Sequence, residues 1–572
     1  MASVHGHGQP PGRPLICPVE SDATATVPLP RGPPVRCSLP RWGCRLGDWH
    51  KGGAVQASVQ AVETPTMSPA AAASVALAEP GAPGLVPADG MPVPCEPLDQ
   101  DNVQSSGLPA WVIEVAGLAL AIAFIAAIAL GSYLSNDELW SMAAGHWMLS
   151  HHQLIGNDPF SYTEAHRRWI TDEWGSEIVL AEFGRLFGVM AYNIYAITLG
   201  GLSVLSIYFY IRTLGARGGR VVSILVLAAV ALAGVVAQDR GLDFSLVWFP
   251  LELTVLTKAR GRPLWLLWLP LLFGAWANTH GSVLIGLVVM GIEVAWSFAP
   301  RRWLDQLGVT SASSYAVPLT LALVTSLAAT FVTPYGPKLL TYDLGVASNG
   351  QISQYINEWA SPNFHSMAIM VVFVFPLSVF IVCVVRGRIP ALEGTLLIAL
   401  FVDALRSQRF IVYLVVVTAG LGATLPLRRW DAGLRRLAAL LMVLSGIVIV
   451  ALPSVPAGAM SPLQPVQAFD YLEGHPGRIF TEYTWGDYSI ARQRQTFVDG
   501  RTDLFEGSVL TEFFAVSSLN ADPDPVLARF DVRYVVWSPR TPLSEYLAHD
   551  RNWEVVDRSG PAVVFSRRSP AK

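Results

Sequence analysis

Residues 110–133 read AWVIEVAGLALAIAFIAAIALGSY, a run in which Glu114 is the only charged side chain. A transmembrane helix needs about 20 consecutive apolar residues to cross the hydrocarbon core of a bilayer. The run therefore predicts a membrane-spanning helix. Comparable apolar blocks follow it as far as residue 453, so the same interpretation extends over the middle of the chain.

The composition of the whole chain agrees with a membrane protein. Of the 572 residues, 52% are hydrophobic and 14% are charged, and the mean hydropathy is +0.42. Soluble domains carry about 25% charged residues, so a soluble enzyme and a disordered main body are both excluded. The strands of an outer-membrane barrel would alternate apolar and polar residues over about ten positions. The apolar blocks here are continuous, so a barrel is excluded as well. The fold class predicted is an α-helical polytopic membrane protein.

About eleven apolar blocks follow one another, and each predicts a transmembrane span. Blocks near 15 residues long can cross only where the bilayer thins or where neighbouring helices shield their ends. The predicted spans are 110–133, 188–211, 221–237, 244–257, 264–278, 281–299, 315–333, 367–385, 391–405, 410–426 and 434–453.

Three regions of different composition divide the chain. Residues 1–107 are rich in Pro, Gly, Ala and Ser and predict a disordered tail. Residues 108–453 form the predicted membrane domain, with two long outer loops at 134–187 and 334–366. Residues 454–572 have ordinary polarity and predict a small soluble domain.

Charged residues alternate along the chain and predict its orientation. Lys and Arg mark the loops that stay in the cytoplasm, so the N-terminus is predicted inside and the C-terminus outside. The net charge of −4 averages over both sides. Basic residues follow every second span: Arg212, Arg217, Arg220, Lys258, Arg260, Arg262, Arg301, Arg302, Arg386, Arg388, Arg428, Arg429, Arg435 and Arg436. The intervening segments carry Asp137, Glu138, Asp172, Glu173, Asp239, Asp243, Asp343 and Glu358.

Alternating apolar patterns in the C-terminal region predict an α/β domain. Because this region follows the last span, it is predicted to be extracytoplasmic. The predicted strands are 478–481, 496–498, 533–537 and 562–566, and the predicted helices are 508–519 and 543–549. In the first outer loop, helices are predicted at 138–151 and 172–187.

The first outer loop carries two acidic pairs, Asp137–Glu138 and Asp172–Glu173, each close to tryptophans. Tryptophan anchors a chain at the depth of the lipid headgroups, where a carboxylate can reach a lipid-linked phosphate ester. Such a carboxylate can act as a general base on an acceptor hydroxyl. The structural alternative is that each pair caps the helix that follows it.

Two arginines lie at the outer end of the ninth predicted span, against the positive-inside trend. Arg406 and Arg409 present the forked donors that match phosphate oxygens, so they are candidates for binding a donor phosphate. The alternative is that they extend to the membrane surface or pair with an acid such as Glu358.

Three further polar residues are weaker candidates. Asn278 and His280 lie in the turn between two short apolar blocks, where a cap or an interhelical hydrogen bond is the alternative to substrate binding. His146 lies nine residues after Asp137 on a predicted helix, so simple helical spacing does not place the two on one face.

Two other polar groups predict turns. Asp158–Pro159 is a turn sequence, and Asp499, Arg501 and Asp503 predict a salt-linked turn after a strand. The alternative for the second group is contact with an acceptor.

The order of these motifs resembles a bacterial group of GT-C-type membrane proteins, a fold that includes protein O-mannosyltransferases and the enzyme that adds aminoarabinose to lipid A. An acidic pair followed by Trp opens the pattern, which covers 110–572. Its other parts here are Asp158–Thr163, Trp169–Trp174, Trp276–Gly281, Thr333–Gly336, Glu358–Pro362, Arg406–Phe410, Trp485–Tyr488 and Asp499–Asp503.

The resemblance implies a glycosyltransferase in the bacterial cytoplasmic membrane. Its donor would be a polyprenyl-phosphate-linked sugar, and its acceptor an extracytoplasmic lipid, glycan or protein. By position in the first outer loop, Asp137 is the implied base and Glu138 the second choice. Asp172 or Glu173 would be a second acid that holds a divalent cation, Mg or Mn, or positions the acceptor.

The chain departs from the pattern of the family at the acidic pair itself. Asn136-Asp137-Glu138 stands where relatives often carry Asp-x-Asp, which leaves open which carboxylate acts. Two other classes stay open. A transporter or flippase of envelope precursors would show repeated halves and broken helices, and an envelope-assembly protein could use the same scaffold without catalysis. Nucleic acid is not an expected partner, because no long basic stretch with aromatics occurs.

Overall fold

A computed structural model describes residues 109–134, 137–236, 241–300, 302, 309–310, 315–350, 356, 358–386, 389–425, 431–453 and 455–568. The predicted tail, residues 1–107, lies outside these ranges, and so does Asn136 of the first acidic motif.

Helices make up the described part of the chain as far as residue 453, which we call the helical domain. They are α1 (Ala110–Leu130), α2 (Asp137–His151), α3 (Trp174–Phe187), α4 (Ala191–Thr213), α5 (Gly219–Val236), α6 (Leu242–Ala259), α7 (Leu269–Ala277), α8 (Val283–Ser297), α9 (Ala316–Ala329), α10 (Lys338–Ser348), α11 (Met367–Arg386), α12 (Ala391–Arg406), α13 (Ile411–Thr424) and α14 (Asp431–Ala451). Two short strands, Val309–Thr310 and Ile389–Pro390, pair in parallel.

The apolar blocks predicted from the sequence become helices because continuous runs of Leu, Val, Ile and Ala favour helix wherever the backbone must satisfy its own hydrogen bonds. Among the described residues, two helical stretches are long and apolar enough to cross a membrane: Ala110–Leu130, and Trp174–Thr213, which comprises α3 and α4. The other apolar helices picked out among the described residues are shorter. The number of about eleven spans stays a prediction.

The core of the helical domain lies where α4, α5, α6 and α13 pack together. Leu246, Phe249 and Val416 are fully buried there. At Gly420 of α13 the ring of Tyr210 comes so close that an added Cβ would lie 2.4 Å from the tyrosine hydroxyl oxygen. A glycine at 420 therefore sets the distance between α4 and α13.

The one acid of the first span has a basic partner. Glu114 of α1 is buried, and it forms an ion pair with Arg212 at the end of α4 (3.1 Å). Its Oε1 also accepts the Gly218 N–H at 2.6 Å, just before α5 begins. A buried carboxylate requires such partners. Through these contacts Glu114 connects α1 with the end of α4 and the start of α5.

The first outer loop forms the two helices predicted for it. α2 matches the predicted 138–151 closely, whereas α3 begins at Trp174, two residues later than predicted. Asp172 and Glu173 are therefore left before the first helical turn. α2 and α3 touch at Gly145, where a Cβ would lie 2.1 Å from the Glu177 carbonyl oxygen.

The C-terminal region forms a four-stranded sheet with flanking helices, as predicted. Its strands are β1 (Arg478–Thr481), β2 (Val532–Trp537), β3 (Trp553–Asp557) and β4 (Val563–Arg567) in the order β1-β2-β4-β3. The β1–β2 pair is parallel and the other two pairs are antiparallel. Its helices are α15 (Val466–Leu472), α16 (Trp485–Ala491), α17 (Ser508–Ser517), α18 (Pro523–Arg529) and α19 (Pro542–His549).

One predicted strand of this domain is wrong. Residues 496–498 form no strand; Thr496 makes a single bridge with Ser161 of the first outer loop. The three residues are buried against that loop, so an apolar run that favours a strand locally is used instead for contact between domains. The prediction also missed β3 and the short helices α15, α16 and α18.

A buried ionic triad joins the first outer loop to the C-terminal domain. Arg501 donates to Asp158 at 2.6 Å and to both carboxylate oxygens of Asp499, at 2.7 and 2.6 Å. Its guanidinium also stacks over Trp169, 4.6 Å from the ring centre. Asp158 and Asp499 lie in turns as predicted, and the salt link through Arg501 joins the two domains. Asp503, predicted to belong to this salt link, instead accepts a hydrogen bond from Tyr342.

Candidate active site

Two adjoining cavities share part of their walls. The large cavity has a volume of about 630 Å³ and is lined by residues of the helical domain. The junction cavity, about 320 Å³, is lined by both domains. Five residues form walls of both cavities: Asp172, Glu173, Val346, Trp359 and Arg409.

Seven of the ten residues singled out from the sequence line these cavities. They come from distant parts of the chain, so the fold brings the predicted groups together. Asp137 and Glu358 line the junction cavity, Arg406 and His280 line the large cavity, and Asp172, Glu173 and Arg409 line both.

The other three candidates lie elsewhere. Glu138 is buried and lines neither cavity, because successive helical residues project from different faces. Asn278 connects two parts of the backbone: its side-chain amide nitrogen donates to the Gly274 and Val332 carbonyls at 2.7 and 2.9 Å. His146 is exposed on α2. The hydrogen bonds of Asn278 agree with the structural alternative weighed for it, whereas His146 lines neither cavity.

Asp172 faces a carboxylate that the sequence did not single out as a site residue, Asp343 of α10. Both approach Gly281 so closely that a Cβ there would lie 2.8 Å from Asp343 Oδ1 and 3.2 Å from Asp172 Oδ2. Removal from water raises the pKa of Asp172 to about 7, with a further contribution from Asp503. Burial, and then the charge of Asp172, raises the pKa of Asp343 to about 8.

These raised pKa values predict a pH-dependent stability. A folded pKa near 8 against about 3.8 for an exposed aspartate means that the folded protein keeps a proton that the unfolded chain releases. The stability of the wild type should therefore fall as the pH rises from about 4 to about 8. Asp343→Asn cannot titrate, so its melting temperature relative to wild type should rise by at least about 2 °C between pH 5 and pH 9.

The measurement is thermal unfolding of the purified protein in detergent with EDTA present. Asp470→Asn is the control, since Asp470 lies at the surface and pairs with Arg492. Parallel curves for wild type and Asp343→Asn would contradict the raised pKa.

Glu173 contacts His280 at the wall of the large cavity. The Nδ1 atom of His280 accepts the Ser282 N–H at 2.9 Å, so a neutral ring carries its proton on Nε2. That Nε2 lies 3.2 Å from Glu173 Oε1. Burial, with a smaller contribution from Arg409, lowers the pKa of His280 well below its ordinary value, so the ring is neutral.

Arg409 is held in place at the boundary of the two cavities. It lies in a short helical turn, Gln408–Phe410. Its backbone N–H donates to the Glu358 carbonyl at 3.2 Å, and its guanidinium lies 5.0 Å from the centre of the Trp359 ring. Arg406 is exposed, and of the two cavities it lines only the large one. Arg409 is thus the better positioned cation for an anion that enters either cavity.

The C-terminal domain supplies two acids that were not among the ten candidate site residues. Asp487 of α16 and Asp503 line the junction cavity, and Asp503 accepts a hydrogen bond from Tyr342 of α10. Both stand in stretches that carry the family resemblance, Trp485–Tyr488 and Asp499–Asp503. The resemblance was the only feature of the sequence that could have marked Asp487 and Asp503 as site residues. They lie more than 300 residues after Asp137 and Asp172, so local sequence patterns cannot predict that they come close to them.

The described part of the chain combines a helical domain, cavities lined by acids and a small α/β domain. No protein-family model matches the chain, and no curated protein sequence matches it. Solved structures do match. The apo oligosaccharyltransferase of Archaeoglobus fulgidus is 14% identical with a TM-score of 0.54, over 74% of this chain and 69% of that one.

Two further structures share this architecture. The Archaeoglobus fulgidus oligosaccharyltransferase AglB in complex with an inhibitory peptide and a dolichol-phosphate is 13% identical (TM-score 0.52, 74% and 69% covered). The apo ArnT of Cupriavidus metallidurans is 15% identical (TM-score 0.50), over 80% of this chain and 97% of that one. At these identities the likeness is one of fold, and the predicted GT-C-like fold is confirmed.

Proposed function

We propose that the protein is an integral membrane glycosyltransferase that moves a sugar from a polyprenyl-phosphate donor to an extracytoplasmic lipid, glycan or protein acceptor. The observation that carries the proposal is that Asp137 and Arg409 line one cavity. A general base and a phosphate-binding cation are the two groups that this transfer requires.

The reaction follows from these positions. Asp137 takes the proton of the acceptor hydroxyl as that oxygen attacks the anomeric carbon of the donor sugar. The bond between this carbon and the phosphate oxygen breaks, and its electron pair leaves with the polyprenyl phosphate. Arg409 offsets the charge that develops on the phosphate. A single displacement inverts the configuration of the anomeric carbon.

The large cavity supports a lipid-linked donor. Beside Arg406 and Arg409 it carries apolar side chains such as Leu284, Ile285 and Phe410, so one site offers cations for a phosphate and an apolar wall for a chain. AglB, of similar fold, is a complex with a dolichol-phosphate. The junction cavity then receives the acceptor, because the C-terminal domain forms its other wall.

The residues present fit a divalent cation. Both carboxylate oxygens of Asp343 are buried without a hydrogen-bond partner among the described residues, beside Asp172. No group of three or more His, Cys, Asp or Glu residues that could hold a metal occurs in the described ranges. Mg²⁺ often takes one or two carboxylates and completes its shell with substrate phosphate and water. Asp172 and Asp343 would hold such an ion, which would supply a second positive charge near the phosphate.

The proposed orientation places both cavities outside the cytoplasm, in the cytoplasmic membrane of a bacterium. The basic loops described above mark the inner side, and the acids that line the cavities lie in the segments predicted to be outside. The donor would then be used after it has reached the outer leaflet.

The test is mass spectrometry of envelope glycolipids, glycans and proteins from a deletion strain and from the strain complemented with wild type or Asp137→Asn. We expect one glycan mass to disappear on deletion, return with wild type and stay absent with Asp137→Asn. Accumulation of an unmodified acceptor inside the cell would indicate a transporter instead. Full restoration by Asp137→Asn would indicate a role without catalysis.

A further inference from the structure

Asp487 of the C-terminal domain is buried at the wall of the junction cavity, next to the proposed base. The residue is 1% exposed and lies on α16, which packs on α2. A Cβ at Gly500 would lie 2.8 Å from Asp137 Oδ1 and 2.9 Å from Asp487 Oδ1. The two carboxyl groups therefore flank one glycine, and this approach is possible because position 500 has no side chain.

The two oxygens of Asp487 have different surroundings. Oδ1 accepts the Gly500 N–H at 2.7 Å. Oδ2 is buried and has no hydrogen-bond partner among the described residues. A buried oxygen that lacks a protein partner, on the wall of a cavity, is available to a neighbouring group or to a substrate.

The charged groups around Asp487 are mostly acidic. Asp137 of α2 faces Asp487. Asp499 and Arg501, which follow residue 498, also face it, and so does Tyr483, which lies just before α16. Arg501 is committed to Asp158 and Asp499 in the buried triad. Burial, then the charges of Asp137 and Asp499, raise the pKa of Asp487 well above its ordinary value. Because Oδ1 is taken by the Gly500 N–H, Oδ2 is the oxygen on which a proton of Asp487 would lie.

We propose that Asp487 is a positioning residue for the transfer reaction: its Oδ2 hydroxyl donates a hydrogen bond to the carboxylate of Asp137 and orients that base toward the acceptor hydroxyl. The inference rests on the proposed function and extends it. The C-terminal domain then supplies a second hydrogen-bond donor to Asp137, beside the Trp140 indole N–H of the helical domain.

Two substitutions at 487 separate positioning from catalysis. Asparagine keeps an oxygen for the Gly500 N–H and offers an N–H in place of the hydroxyl. Asp487→Asn should keep kcat within about 3-fold, whereas Asp487→Ala should lose about 10- to 100-fold in kcat with little change in KM. Asp470→Asn, at the surface of the same domain, is the matched control and should resemble wild type.

The pH profile gives a second readout. In the wild type, deprotonation of Asp487 at high pH removes the donor and places a second negative charge beside Asp137, so kcat should fall. Asp487→Asn cannot titrate, so its kcat should fall less than that of the wild type over the same range. The assays use the full-length protein in detergent, with the donor and acceptor identified by the mass spectrometry above.

Other results would overturn the inference. If Asp487→Asn is as inactive as Asp137→Asn, Asp487 is itself a proton acceptor. If Asp487→Ala, shown to be folded by size exclusion and thermal unfolding, keeps wild-type kcat, then Asp487 has no part in the reaction.

Infrared spectroscopy tests the pair without any transfer assay and without access of a reagent to the buried carboxyl group. A protonated carboxyl group has a C=O stretching band that a carboxylate lacks. At pH 7 we expect the difference spectrum of Asp487→Asn against wild type to show the loss of such a band, and that of Asp137→Asn to show none. A wild type that transfers no sugar but shows this band would remove the proposed function and leave the proton assignment in place, whereas a band lost in Asp137→Asn and kept in Asp487→Asn would contradict that assignment.

Discussion

Asp137→Asn is expected to lower kcat for sugar transfer by about 10²- to 10⁴-fold, the contribution typical of a general base. The amide keeps the size of the side chain and its contact with the Trp140 indole N–H, 3.4 Å away, but it cannot accept a proton. KM for the donor should change little, because the site proposed for the donor phosphate is at Arg409. The measurement is steady-state transfer to the identified acceptor by the purified variant.

The matched control is Glu182→Gln. Glu182 lies on α3 of the same outer loop, forms a surface ion pair with Arg185 at 2.7 Å and lines neither cavity. It should keep wild-type kcat, since surface pairs contribute little. Undiminished turnover of Asp137→Asn would remove this residue from the mechanism. A loss shared by Asp137→Asn and Glu182→Gln would point to a disturbed loop.

The sequence predicted the helical class because its signal is local. Each apolar block predicts a helix from its own residues, without information from the rest of the chain. The observed bounds of α1 and α2 lie within a few residues of the predicted ones. The acidic pairs were also visible locally, as charges in an apolar chain. What the sequence could not give was the face of the helix: Asp137 and Glu138 are neighbours, and only the packing of α2 places Asp137 in a cavity and Glu138 in the core.

The missed residues are those whose partners lie far along the chain. Asp343 sits in a helix that the sequence marked only as part of an outer loop, and it becomes a site residue because Gly281 lets two carboxylates approach. Asp487 and Asp503 belong to a domain that was predicted to be soluble, and Asp503 was considered only as part of a turn or as an acceptor contact. Residues 496–498 show the same limit, since their local preference for a strand yields to contact with Ser161.

Arg409→Ala should weaken binding of the donor phosphate more than any other single change at the large cavity. A hydrogen-bonded ion pair between a guanidinium and a phosphate contributes about 1.5–3 kcal/mol, so the Kd for undecaprenyl phosphate should rise about 10- to 100-fold. The chain around Arg409 should keep its shape, because its backbone N–H bonds to the Glu358 carbonyl whatever the side chain is. The measurement is calorimetric titration of the purified protein with undecaprenyl phosphate.

Lysine at 409 separates charge from geometry. Arg409→Lys keeps the charge but loses the planar fork and its stacking on Trp359, which lies 5.0 Å from the guanidinium. Its Kd should fall between those of wild type and Arg409→Ala. Arg406→Ala should change the Kd only a few-fold, because an exposed arginine is screened by water and salt. Arg529→Ala removes a surface pair with Glu512 in the C-terminal domain and should bind as wild type does. An unchanged Kd for Arg409→Ala would place the donor phosphate elsewhere, and a larger loss for Arg406→Ala would exchange the roles of the two arginines.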